Sequence, residues 1–205
     1  QVNMFPWESE KGELMGGSML KRVKKEEIKT VQKQIPESVW KMIDKRLEKF
    51  VDILVNHSLK IKKNDIFLIS GNAIAAPLIK EVYKQALAKG AHPYTKIGIE
   101  GLAEIYYKKA SEKQLKYISP INRFEIQKID ARLSIISTEN TKNLTNINPE
   151  KQAIANVANK ELHEIFLNRA AKKELRWCLT QYPTNAAAQD AEMSLEEYEE
   201  SDGII

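Results

Sequence analysis

A thiolate activated by an imidazole attacks carbonyl carbons, so Cys178 and His163 are the first residues whose types suggest chemistry. Cys178 lies inside the apolar run Leu175 to Thr180, where a small buried thiol packs as a hydrophobe, and that is how we read it. The three histidines, His57, His92 and His163, fall on a helix end, a strand entry and a helix face, and none has a second ligand four residues away as a metalloprotease helix requires. Glu161 and Glu164 flank His163, but neighbours on a helix point about 100° apart, so this is a solvated charged face. The acids from Glu196 to Glu200 lack the Asp-x-Asp-x-Asp-Gly spacing of a calcium loop and suit the first turns of a helix, where they oppose its dipole. The turn Ser70-Gly71-Asn72-Ala73-Ile74 has one glycine where a dinucleotide fingerprint needs three, and it has no Gly-Lys-Ser/Thr. It reads as a βα turn whose Gly71 relieves backbone crowding. The residues by themselves therefore nominate no catalytic, cofactor-binding or metal-ligating set.

Composition sets the frame for these residues. With 205 residues, 42% hydrophobic and 29% charged, and only 8 Gly and 7 Pro, the chain has the makeup of a globular protein of one domain with appendages. A single cysteine excludes an intrachain disulfide framework and a Cys-x-x-Cys metal knuckle, which points to a reducing compartment. The opening QVNMFPWESE has no basic segment leading into an apolar one, so we read no secretory signal and expect a cytoplasmic protein. No apolar run approaches the roughly 20 residues of a membrane helix. The Asn56-His-Ser and Asn143-Leu-Thr triplets are read as chance matches to the glycosylation pattern. The formal charge is +4, but seven acids crowd the last sixteen residues, leaving residues 1–189 with 32 Lys and Arg against 21 Asp and Glu, a net charge of +11. Acids interrupt the lysines throughout, so we read a solvated surface, with neither nucleic acid nor membrane as partner.

Elements follow from periodicity. Residues 1–41 lack a continuous apolar face and carry Gly16, Gly17 and Pro36; they are expected to be an extension, poorly ordered or helical. From Met42, Ile43, Leu47, Phe50 and Leu54 trace a helix ending near His57. Ile66-Phe67-Leu68-Ile69 predicts a strand buried on both faces, leaving by a tight turn at Ser70-Gly71-Asn72. Leu78, Val82, Ala86 and Leu87 predict a helix stopped by Gly90. Tyr94 to Ile99 is a second strand, followed by short helical pieces at Leu102 to Ala110 and Glu112 to Tyr117 and another turn of helix opened by Pro120. Ala131 to Ser137 is the third strand. Asn148-Pro149-Glu150 opens a helix running to about Ala171, Leu175 to Thr180 is the fourth strand, and Ser194 to Glu197 is a capping box. Alternation of this kind predicts an α/β fold: a mostly parallel, Rossmann-like sheet of four to five strands with helices on both faces.

Several separate segments, in order, resemble the thermophilic metalloprotease family of the aminopeptidase T and aminopeptidase S type. They include Tyr182-Pro183-Thr184, Ala188-Gln189 and Met193-Ser194-Leu195-Glu196-Glu197-Tyr198 near the end. Upstream are Arg46 to Lys49, Leu54-Val55-Asn56, Asp65, Glu139 to Leu144 and Pro149-Glu150-Lys151. The resemblance implies a metal-dependent exopeptidase that removes N-terminal amino acids from peptides, with two divalent cations of the zinc, cobalt or manganese type held by a C-terminal catalytic domain. It also implies that the segment in hand is the family's N-terminal α/β domain, which binds no metal of its own and helps enclose the active-site chamber in a homodimer. No catalytic, cofactor-binding or metal residue carries over. The domain organisation expected is an extension over 1–41, an α/β domain over 42–184 and, over 185–205, the start of a connection to an absent catalytic domain. The ending Ser201-Asp202-Gly203-Ile204-Ile205 departs from the family, which we read as a truncation, a frameshift or a fragment end, and the chain is expected to be inactive alone. The alternative is a stand-alone interaction or regulatory domain without catalysis.

Overall fold

Ile66-Phe67-Leu68-Ile69 does form a strand, and it is the centre of the sheet. The computed structural model describes residues 7–8, 13–15 and 23–24 as backbone and residues 45–201 in full. The chain divides into two compact units, 1–43 and 44–205.

In the first unit, β1 (Trp7–Glu8), β2 (Glu13–Met15) and β3 (Val23–Lys24) form an antiparallel sheet in that order, with Trp7 opposite Met15 and Glu13 opposite Lys24. Trp7 and Val23 are strand-favouring residues. The rest of the extension expected over 1–41 lies outside the described residues.

In the second unit, α1 (Lys45–Asp52) passes into a π-helical segment, Ile53–Ser58. Next come β4 (Ile66–Asn72), a 3-10 turn at Ala73–Ala75, α2 (Ala76–Ala88) and β5 (His92–Gly98). Three helices follow, α3 (Leu102–Lys109), α4 (Glu112–Leu115) and α5 (Pro120–Lys128), before β6 (Ala131–Ile136). The chain continues as α6 (Pro149–Ala158), α7 (Lys160–Ala171), β7 (Arg176–Gln181), α8 (Asn185–Asp190) and α9 (Leu195–Ser201). The strands are all parallel, in the order β5-β4-β6-β7. Parallel neighbours require crossovers, and the helices between strands supply them.

Three local expectations need correction. The tight exit at Ser70-Gly71-Asn72 is strand: Ser70 registers with Lys96 and Ser134, Gly71 with Ile97 and Asn72 with Gly98. Gly71 is there because the next strand comes close; a Cβ on it would lie 3.1 Å from the Ile135 Cβ and 3.3 Å from the Ile135 carbonyl oxygen. The helix expected over 148–171 is interrupted at Asn159, whose side-chain amide donates to the Ala155 carbonyl at 2.8 Å, an alternative that asparagine offers the backbone. The helix expected to open at Pro120 does so, capped by Ser119, but runs nine residues rather than one turn.

The punctuation signals hold. Gly90 adopts φ +76 just after α2, the left-handed residue that ends a helix. Asn148 caps α6 by accepting from the Glu150 N–H at 2.9 Å, and Ser194 and Glu197 cap α9 reciprocally.

The core lies on one side of the sheet. Phe67, Ile69, Ala131, Leu133 and Ile135 face α1, the π-helical segment and α2, among them the fully buried Val51, Val55, Leu78 and Val82. The other side has a small cluster, Leu68, Ile129 and Leu175 with Tyr94 and Phe166 packed on it. That asymmetry positions the site.

Candidate functional site

Strand alternation explains why the second face is open. In β6 the residues Ala131, Leu133 and Ile135 point into the core, so Arg132 and Ser134 point the other way. Register then assembles two rows across the sheet: Tyr94, Leu68, Arg132 and Trp177 in one, and Lys96, Ser70, Ser134 and Leu179 in the next. A sheet face carrying Lys, Arg and two serines does not pack tightly against helices, because burying those groups without partners is costly. A cavity of about 490 Å³ results between this face and the α5–α7 pair.

Its walls are fixed from several directions. Lys96 Nζ sits 3.0 Å from Glu125 Oε2 and 3.1 Å from Asn122 Oδ1, tying β5 to α5. Arg123 pairs with Glu161, tying α5 to α7. Arg169, near the end of α7, donates from Nη1 to the carbonyls of Ile126 and Ile129 at 2.8 Å each, satisfying groups that the end of α5 leaves open. Inside, Arg132 Nε donates to Ser134 Oγ at 3.0 Å, and its guanidinium lies 5.8 Å from the Phe166 ring centroid. Ser70 Oγ lies 3.3 Å from Ser134 Oγ. Phe166 meets Trp177 edge-on and stacks with His163.

Burial, reinforced by the nearby Glu125 carboxylate, pushes the Tyr94 hydroxyl up from 10.0 to about 12. The folded chain thus holds this proton longer than the unfolded chain does, and the stability contributed is lost as pH rises through 10 to about 12. Titrating phenolate absorbance of the chain and of Tyr94→Phe is expected to show one late-titrating tyrosine missing in the variant; superimposable high-pH limbs would refute the assignment.

Each residue weighed in the sequence has a place. Cys178 packs against the core side while His163 lines the cavity on the other, so the sheet separates them and no nucleophilic pair forms. Burial also raises the Cys178 thiol above its ordinary value, leaving less thiolate. Glu161 is taken by Arg123 and Glu164 lies 3.8 Å from Lys160, the solvated charged face expected. Glu197 is a capping residue, held below the usual carboxylate range by hydrogen bonds from the backbone and side chain of Ser194. His57 lies in the π-helical segment and His92 opens β5, away from the cavity lining. Arg132, Lys96 and the Ser70–Ser134 pair were missed. Their signal was the polar alternation of Ala131-Arg-Leu-Ser-Ile135 in a strand that crossover topology covers on both faces.

At the carboxyl ends of β4 and β6, where a doubly wound sheet usually takes its ligand, a polar cluster joins the strands to the loops that follow them. Asn72 donates from its backbone N–H to Ser137 Oγ and from Nδ2 to the Ser137 carbonyl, 3.1 Å each. Glu100 accepts from Asn143 Nδ2 at 2.6 Å and lies 3.5 Å from Asn72 Nδ2. Among the described residues no three His, Cys, Asp or Glu side chains come together as metal ligands, so these residues do not fit a dinuclear metal centre. No helix among them is long and apolar enough to cross a membrane.

Wild-type AmpT from Thermus thermophilus has a similar fold, with a TM-score of 0.58 and 20% sequence identity over 67% of this chain and 36% of its own. This chain therefore spans about a third of that protein's length. An alcohol dehydrogenase superfamily protein from Novosphingobium aromaticivorans is 12% identical over 75% of this chain and 46% of its own, with a TM-score of 0.25. No curated protein matches. The model of the thermophilic metalloprotease (M29) family matches residues 43–201, the whole of the parallel sheet and its helices, and the chain belongs to that family.

Proposed function

We propose that this chain is the N-terminal domain of a metal-dependent aminopeptidase, with the metal-binding catalytic half outside it. The observation that carries the reading is the family match over residues 43–201, on a domain whose described residues offer no metal-ligand cluster. Two divalent cations in the catalytic half would activate a water and polarise the scissile carbonyl of a peptide. The role of this domain is structural: it supplies a rigid α/β wall to the substrate chamber. The whole protein works as a homodimer in the cytoplasm, trimming peptides from their N-termini.

Incubating the purified chain with leucine p-nitroanilide and Co²⁺, Zn²⁺ or Mn²⁺ is expected to give no release of p-nitroaniline above a no-protein control. Metal-dependent turnover by the chain alone would refute the division of labour, since it would require ligands that the described residues lack.

A further inference from the structure

Arg132 is anchored more firmly than it is used. Its Nε donates to Ser134 Oγ and its guanidinium carbon lies 5.8 Å from the Phe166 ring centroid, and among the described residues no hydrogen bond takes up its two terminal amino groups. Among the described residues no carboxylate lies within ion-pair distance of Arg132, whereas Lys96, the other lysine or arginine of the cavity, is neutralised by Glu125. The cavity therefore presents one uncompensated, forked, always-charged donor. Around it stand Leu68, Leu162, Phe166, Trp177 and Leu179, an apolar lining, and about 490 Å³ is within the range of small-molecule sites.

We infer that this cavity binds a small monocarboxylate with an apolar body, its carboxylate on the Arg132 fork and its body against Trp177 and Leu179. A guanidinium fork matches the two oxygens of a carboxylate. With Lys96 and Glu125 paired, the single positive charge of Arg132 balances a monoanion, while a phosphate dianion would leave a second charge uncompensated. A free apolar amino acid and the C-terminal residue of a peptide share this chemistry.

The test is titration calorimetry on the chain, and its readout needs no peptidase activity. N-acetyl-L-leucine, which mimics a peptide C-terminus, and L-leucine, the free amino acid, are the two arms. At least one is expected to bind, and to bind at least about tenfold more tightly than N-acetyl-L-leucinamide, which lacks the carboxylate. The tighter arm identifies the source. Arg132→Gln is expected to weaken that binding by about tenfold or more with an unchanged far-ultraviolet spectrum. Should that variant fail to fold, Arg132→Lys keeps the charge but loses the fork, and a clear weakening is still expected. Any one of four results overturns the inference: neither arm binds; the amide binds as well as the acid; the folded Arg132 variant binds unchanged; or inorganic phosphate binds as tightly as the better arm.

Discussion

Phe67→Ala is expected to destabilise the 44–205 unit by about 4 kcal/mol, within the 3–5 kcal/mol typical of emptying a buried aromatic site. Phe67 is fully buried at the centre of the sheet. Its register neighbours on the same face are Pro93 on β5 and Ala131 on β6, both small, so the ring fills the width of three strands beneath the helical layer. Neither neighbour can swing into the space the ring leaves, and the cavity term is retained nearly in full. In urea, with a slope of about 2 kcal/mol per molar, the midpoint should fall by about 2 M. The control is Leu87→Ala on α2, where the side chain is 53% exposed and the change should stay within about 0.5 kcal/mol. Equal shifts for the two variants would contradict this account of the core.

Asp65→Ala should cost about 2–3 kcal/mol, below the 3–5 kcal/mol of a fully buried broken pair because Arg176 retains some solvent. Asp65 Oδ2 accepts from the Lys62 N–H at 2.6 Å and from Arg176 Nη2 at 2.8 Å. Arg176 Nη1 donates to the carbonyls of Leu59 and Lys60, at 3.3 and 2.6 Å. One ion pair thus fastens β7, the entry of β4 and the end of the π-helical segment, where Lys60 and Asn64 hold positive φ. Removing the carboxylate leaves the Lys62 N–H unsatisfied and the guanidinium uncompensated. Arg176→Ala should be similarly damaging, and the double variant should cost clearly less than the two singles added, which a double-mutant cycle in urea reads directly. Additive losses would mean that the two side chains act separately. A surface pair such as Lys142–Asp190, 3.8 Å apart and largely exposed, should by contrast contribute at most about 1 kcal/mol.

The fold was largely legible because its signals are local. An unbroken apolar run marks β4, Gly90 stops α2, and Asn148 and Ser194 sit where helices begin, each for a reason contained in a few neighbouring residues. The cavity was not legible, because what makes it is pairing at a distance. Ser70 and Ser134 are 64 positions apart and become neighbours only through the strand order. Likewise, whether Cys178 and His163 meet depends on which face of β7 each approaches, and parity within the sheet places them apart. At Gly71 the need to relieve crowding was legible and the turn was not: the residue spares a clash with Ile135, a neighbour supplied by the strand order, while the chain continues as strand to Asn72.

The two helical layers differ in one further respect. α2 buries Leu78, Ile79, Glu81, Val82 and Ala86, whereas neither α5 nor α7 has a buried residue. Layers held so unequally are expected to open unequally: hydrogen exchange followed by mass spectrometry should show slower exchange in α2 and β4 than in α5 and α7, and equal protection would contradict this. The cavity lies on the less deeply packed side of the sheet, with Trp177 and Leu179 half exposed at its wall, so a small molecule reaches it without disturbing the core beneath.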